Sequence, residues 1–373
     1  MKKSLIAAAV AGLFVAPAAM ADVTISGAVN IGIAHIDSDD SVGGTPGDGL
    51  ARQSLATNYS NVNISSVDDI GNGNKVILNV QFDLGSMSNT GSFGNRNSYL
   101  GIEGGWGSFK MGTNENVYER WAYESDPLDG AAGIGGNIQM LGQTGLQGRG
   151  WFDVGNGETA DNASFWRRST HTVWYNSPVI GGGFTFEVDR TLSAFKTAAT
   201  DPVVTSLGAQ FKPEGGKFFV NVGYETHDEA NSFTVGVHDA TGTSVGGGIA
   251  LGDFLITARY ELLEWELASG AGTFERTHMW AGVKWTMPGG YLGAEVGMAD
   301  ELDAPGGSVT DSDAMMIGIG YYHNLSKQSQ LYVVGTQIAN GDAANYGIGA
   351  GGGSSGGIGS DHMALTVGMK HTF

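Results

Sequence analysis

The chain has 373 residues, with 19 Lys and Arg against 38 Asp and Glu, a formal charge of -19 and no Cys. The acid excess argues against a nucleic-acid partner, whose phosphates need a basic surface. The missing Cys excludes a disulfide framework and a thiolate metal site. With 62 Gly, 8 Pro and 10% aromatic residues, the composition suits many strands and turns rather than a helical enzyme.

The chain opens on a basic pair, Lys2 and Lys3, then an apolar run from Leu5 to Val15, then Pro17 and Ala19-Met20-Ala21. This is the pattern of a secretory signal peptide over residues 1–21, with cleavage leaving Asp22 first. The apolar run is shorter than the ~20 residues a spanning helix needs, and no later stretch reaches that length. No Pro- or Ser-rich linker divides residues 22–373, so they read as one domain.

Short alternating segments follow. In the first, Val23, Ile25, Val29, Ile31 and Ile33 share one parity, and Thr24, Ser26, Asn30 and Ala34 the other. Tight junctions stand at Asp68–Gly73, Gly104–Gly107, Pro178–Gly182, Pro213–Gly216, Gly252-Asp253, Pro288–Gly290 and Ser326–Ser329. Between them lie longer polar stretches, at about 37–50, 86–93, 115–163, 193–202, 228–243, 267–275, 301–311 and 341–360. Seven turns alternating with eight loops make fifteen connections and so sixteen strands. Short connections on one side and long ones on the other are the mark of a transmembrane antiparallel β-barrel, with the tight turns facing the periplasm. Sixteen strands leave room for an aqueous channel. Aromatics near strand ends (Trp106, Tyr175, Trp285, Tyr291, Tyr321, Phe373) are expected to form the interfacial girdles.

The last segment ends on the aromatic Phe373. Its residues Met363, Leu365, Val367, Met369 and Phe373 face one way, expected to be lipid, with Ala364, Thr366, Gly368 and Lys370 opposite. In 168–176, outward Val173 and Tyr175 put Thr170, Thr172 and Arg168 inward. An Arg at mid-depth on the lipid face would cost roughly 2–4 kcal/mol.

Several segments in order resemble the general diffusion porins of Gram-negative outer membranes. They are 59–83 (YSNVNISSVDDIGNGNKVILNVQFD), 96–112 (RNSYLGIEGGWGSFKMG), 168–178 (RSTHTVWYNSP), 321–332 (YYHNLSKQSQLY) and the tail with His371 and Phe373. The resemblance implies a trimeric, sixteen-stranded barrel whose third loop, about 115–163, folds into the lumen. It implies a homotrimer embedded in outer-membrane lipid and lipopolysaccharide, passing small hydrophilic solutes, with no cofactor and no catalysis. The loop's carboxylates Glu119, Glu124, Asp126 and Asp129 would then sit at the pore constriction, where they favour cations. Arg168 matches a wall arginine of the family. Asn61 and Ser65 stand on the expected pore wall where the family carries an arginine and often a lysine, and Thr113 follows Gly112 where an arginine is usual. Lys75 is a candidate replacement near the periplasmic turn, and Arg96 is expected at the rim or between subunits. The expectation is a weakened basic wall and a preference for cations.

Other classes are weaker. Trp121, Tyr123, Trp151, Phe152, Phe165 and Trp166 cluster in or beside the third loop, which keeps a substrate-selective channel, for instance for sugars, in view; packing of the loop is the simpler role for them. An enzyme needs a nucleophile with a positioned base. His171 has outward parity and no such arrangement stands out. Adhesion is permitted by the long loops, but nothing in them specifies it. Asp37, Asp39 and Asp40, or Asp311 and Asp313, offer oxygen ligands for Ca²⁺ without completing a known loop, so solvated acidic loops explain them better. Gly351–Gly357 reads as a flexible segment.

Overall fold

A computed structural model describes residues 22–39, 51–56, 59–84, 96–129, 134–145, 165, 168–192, 196, 201–229, 237–267, 270, 272–349 and 357–373. The signal-like residues 1–21 and residues 351–356 lie outside them. One antiparallel sheet holds nineteen strand segments among the described residues. Arg52–Ala56 and Asn61–Gly71 pair in succession with the same neighbour and make one interrupted strand, β2. Leu302–Ala304 and Gly307–Val309 form a small hairpin within a connection. Sixteen wall strands remain. After β1 (Asp22–Ser38) and β2 come β3 (Asn74–Asp83), β4 (Ser98–Gly104), β5 (Gly107–Glu115), β6 (Arg168–Asn176), β7 (Phe184–Thr191) and β8 (Val203–Phe211). The second half is β9 (Phe218–Asp228), β10 (Val237–Leu251), β11 (Phe254–Leu267), β12 (Thr273–Met287), β13 (Gly290–Ala299), β14 (Ala314–Asn324), β15 (Ser329–Asn340) and β16 (His362–Thr372).

The sheet closes on itself. β1 pairs with β2 on one side and with β16 on the other, from Ala28 opposite Thr372 to Ser38 opposite His362. Gly27 and Phe373 exchange backbone hydrogen bonds of 3.0 and 3.1 Å at the seam. Closure removes the unpaired edges that a sheet of this size would otherwise expose. All seven tight junctions read from the sequence are the turns between successive strands. The β2–β3 turn shows why. Asn72 and Gly73 both have positive φ (54° and 75°), the pair of conformations a two-residue hairpin turn demands and that Asn-Gly tolerates.

Parity follows the expected faces. Val23, Ile25 and Ile33 on β1 and Met363, Leu365 and Val367 on β16 are exposed outward, while Asn30, Ala34 and Thr366 are buried. An apolar outer band over polar inner positions is the reverse of a soluble barrel and fits a lipid surround. At the periplasmic end Trp106 stacks on Tyr175 at 6.3 Å and Phe254 on Trp285 at 5.7 Å, two pairs in the expected girdle. Tyr291 departs from it. β13 presents Leu292 and Met298 outward, so Tyr291 points inward, 8% exposed and stacked on Tyr322 at 4.3 Å. β10 also starts earlier than its polar sequence suggested, at Val237 within the stretch read as loop.

Candidate functional site

The connection between β5 and β6 carries a short helix, α1 (Val117–Ala122), a 3-10 turn at Tyr123–Ser125 and another at Asn137–Gln139. A helix of six residues leaves almost all its backbone groups without internal partners. Inward-parity side chains of the strands supply them. Asp189 on β7 accepts from the Val117 N–H at 2.7 Å, and Ser206 on β8 from the Tyr118 N–H at 3.2 Å. At the other end Arg259 on β11 donates to the Trp121 carbonyl at 2.8 Å, and Thr257 to the Ser125 carbonyl at 2.7 Å. Further along, Glu295 on β13 accepts from Gly136 N–H at 2.8 Å, and Glu261 on β11 from Gly142 N–H at 2.7 Å. Glu261 also accepts from the Tyr118 hydroxyl at 2.8 Å and lies 2.9 Å from His278 Nδ1. Each contact joins the connection to a residue facing the inside of the barrel.

Packing matches these bonds. A Cβ at Gly208 of β8 would stand 2.5 Å from the Trp121 ring and 2.7 Å from Val117, and one at Gly293 of β13 would meet the Pro127 carbonyl at 2.7 Å. Glycine is what lets the connection lie this close to the wall. Gly208→Leu is therefore expected to push α1 off β8 and cost about 1–3 kcal/mol by overpacking, seen as a lower temperature for loss of the folded band on an unboiled gel. Of the aromatics in this stretch, Trp121 packs as described and Phe165 lies among Tyr118, His227 and Trp265 at 5.8, 4.7 and 6.1 Å. Tyr123 meets Tyr59 edge-on at 5.8 Å. Trp151, Phe152 and Trp166 lie outside the described residues.

Beside the connection is a gap of about 300 Å³ whose charged lining is Arg96, Glu115, Asp126, Asp129 and Lys370. Asn61 and Gln81 complete the wall opposite. Arg96 lies 3.3 Å from Asp83 and 3.7 Å from Glu115, and Lys370 of β16 binds Asp129 at 2.6 Å. Arg168 pairs with the same Glu115 and donates to Asn97 Oδ1 at 3.0 Å. Below the gap, and sharing Asn61, Gln81 and Asn97 with it, a second cavity of about 610 Å³ continues toward the periplasmic end. Lys75 lines a third, at the periplasmic mouth.

The residues singled out from sequence fall into distinct environments. Asp126 and Asp129 line the gap. Glu119 is buried behind it, 6% exposed, and accepts from the Tyr123 hydroxyl at 2.7 Å. Burial, with the nearby Glu115 adding to it, pushes its carboxyl up to about 7. Burial likewise pushes Asp126 up to about 6, against the Leu128 N–H bond that lowers it. Glu124 turns to β8, accepting from Gln210 at 2.9 Å with Lys212 at 3.6 Å. Asn61 accepts from Gln81 at 3.1 Å, and Ser65 is half-buried on β2 opposite Thr24 and Asn79. Arg96, expected at the rim or between subunits, instead faces the gap. Its N–H pairs with the Gln81 carbonyl inside the β3–β4 connection, so strand parity does not govern it. Lys370 stands on the polar parity of the last strand, which turns it toward Asp129. Asn114 rather than Thr113 is inward on β5, on the parity of Ser108 and Lys110, and the register shift opposite it, where β6 carries an extra residue beside His171 (φ 53°), makes Ser169 rather than Thr170 its inward partner. Among the described residues no group of three or more Asp, Glu or His could hold a metal ion.

Residues 7–343 match the family described as Gram-negative porin. The chain belongs to the Gram-negative porins. It is a β-barrel of the outer membrane. Along its whole length this porin is 26% identical to the whole of outer membrane porin protein 32 of Delftia acidovorans. Its fold matches an anion-selective porin from Comamonas acidovorans with a TM-score of 0.75 at 21% identity, covering 95% of this chain and 100% of that one. It also matches OmpT of Vibrio cholerae in a trimer form, with a TM-score of 0.66 at 14% identity, covering 95% and 99%. The expected cation preference is withdrawn. It supposed a basic wall emptied at Asn61, Ser65 and Thr113, whereas Arg96, Arg168 and Lys370 stand against the loop carboxylates, and the Comamonas protein of the same fold is described as anion-selective.

Proposed function

We propose that this porin is a passive diffusion channel for water, ions and small hydrophilic solutes, without turnover chemistry. The third loop, about 115–163, folds into the lumen and sets the size limit. Support comes from the gap in which Glu115, Asp126 and Asp129 face Arg96 and Lys370. Glu115 is met by two arginines and Asp129 by a lysine, so little loop charge is left to repel anions. The cavity beneath carries Lys110, whose partner Asn176 is uncharged, beside Arg120, which is paired with Glu187. Fixed positive charge beside a low-dielectric wall lowers the energy of anions there, which gives an anion preference like that stated for the Comamonas protein. The porin acts as a homotrimer in outer-membrane lipid and lipopolysaccharide, as the trimer form of OmpT supports, and enters the periplasm on a signal peptide cleaved after Ala21.

The test is the reversal potential of the refolded protein in a planar bilayer across a KCl gradient. Stepwise conductance in triplets with anion-selective reversal is expected; cation-selective reversal would overturn the charge assignment, and no conductance would sink the channel. Amino-terminal sequencing of protein from the outer membrane should begin at Asp22. Acidification adds a further check. Glu119 and Asp126, held up to about 7 and about 6, both lose charge as pH falls from 8 to 5. The reversal potential should move further toward anions over that range. The stability sign is fixed too. A carboxyl raised in the folded state binds its proton more tightly there, so these two groups favour the docked loop below their ordinary pKa and lose that contribution as pH rises through about 6 and 7.

A further inference from the structure

The cavity below the gap has a lining unlike that of a plain conduit. Of its polar side chains, six are carboxamides: Asn61, Asn63, Asn79, Gln81, Asn97 and Asn114. Three aromatic residues join them, Tyr99, Trp174 and Phe373, the first two edge to face at 5.4 Å. No carboxylate side chain lines it. Its volume, about 610 Å³, falls in the range of small-molecule sites, roughly 300–1,000 Å³.

Several of these groups hold unused hydrogen-bonding capacity. Asn114 is 5% exposed, yet its amide nitrogen has no partner in the protein. Asn63 is half-buried on β2, between Ser26 of β1 and Gln81 of β3. Asn79 uses one amide hydrogen on the Asn97 carbonyl, at 2.6 Å, which leaves its oxygen open. The two cations are more fully engaged. Arg120 pairs with Glu187 and donates to the Glu115 carbonyl at 3.1 Å, and Lys110 donates to Asn176 at 3.0 Å and lies over the Tyr99 ring. Carboxamides both donate and accept, which suits vicinal hydroxyls, and aromatic rings suit the apolar C–H face of a sugar.

We propose that this cavity is a subsite for neutral carbohydrates, holding a sugar by carboxamides on β2, β3 and β5 and by the Tyr99–Trp174 pair. It rests on the channel reading and refines its solute class. Binding is weak enough to permit exit and strong enough to saturate.

The experiment titrates maltose against the ion current of single channels. Saturable block with added current noise is expected. Asn63→Ala should raise the half-saturating concentration about tenfold, the worth of one hydrogen bond, read against the variant's own sugar-free current. Tyr99→Phe, which keeps the ring, should raise it less than Tyr99→Ala. A merely linear fall in current with maltose, as viscosity gives, would overturn the subsite while leaving the channel intact. Block by gluconate but not by maltose would overturn the neutral-sugar assignment. If the barrel passes no current at all, calorimetry of maltose against the detergent-solubilised protein decides. Heat lost in Asn63→Ala supports the subsite, and no heat in the unaltered protein overturns it.

Discussion

Replacing Glu261 by alanine is expected to free the third loop from the wall, raising single-channel conductance and lowering the temperature at which the barrel unfolds. Glu261 is fully buried on β11 and accepts from three directions: the Tyr118 hydroxyl, the Gly142 N–H and His278. Two of those donors lie on the loop, Tyr118 within α1 and Gly142 beyond the turn at Asn137–Gln139. Removing the acceptor leaves buried donors without partners, at about 1–3 kcal/mol each. Those costs fall on the docked state, so the loop is released before the barrel itself opens. Glu261→Gln keeps one accepting oxygen and should show a smaller conductance change than Glu261→Ala. Equal conductance in all three proteins would mean the loop does not set the size limit.

The wall of the barrel was legible because lipid leaves a simple record in sequence. Period-two alternation, six Gly-, Pro- or Asn-bearing turns with the polar Ser326–Ser329 turn, and the longer polar stretches gave the strand count and the lipid-facing parity of β1 and β16. What blurred was where strands outrun the membrane. About 9–11 residues cross the hydrocarbon, but β10 and β12 each have 15. Above the lipid their outward side chains turn polar, as at His238 and Asp239, and the alternation that marks a strand disappears. Tyr291 shows the opposite case: it shares parity with Gly293, Glu295 and Gly297 of β13, so alternation places it inward although an aromatic beside a turn suggests the girdle.

The candidate site was legible only in its composition. A cluster of carboxylates after β5 was plain, but Glu124 meets Gln210 of β8 and Asp129 meets Lys370 of β16, both far away in sequence. Nothing local says that Glu119 turns inward to Tyr123 while Asp129 meets Lys370 of the last strand. Arg96 could not be placed by counting, because it precedes β4 and is oriented by a backbone bond to Gln81. The charge reading failed at that step. Missing arginines at Asn61 and Thr113 were visible, and their replacement by cations from other strands was not.

Charge reversal at Lys370 is expected to turn the channel toward cations. Lys370→Glu removes the partner of Asp129 and sets a carboxylate opposite the acidic lining of the gap. Two like charges about 4 Å apart repel by about 4 kcal/mol at an effective dielectric of 20, so the new group displaces Asp129 or draws a cation between them. Either response attracts cations at the narrow point, and the reversal potential should swing accordingly. Lys327→Glu provides the control: it changes net charge equally, but lies in the exposed β14–β15 turn at the periplasmic end. With screening over about 8 Å at physiological salt, that distant charge should leave the reversal potential almost unmoved at 0.15 M and shift it only as salt is lowered. Equal shifts from both substitutions would assign selectivity to the net charge of the molecule rather than to the groups facing each other across the gap. A shift from Lys370→Glu alone would place the filter where β16 meets the third loop.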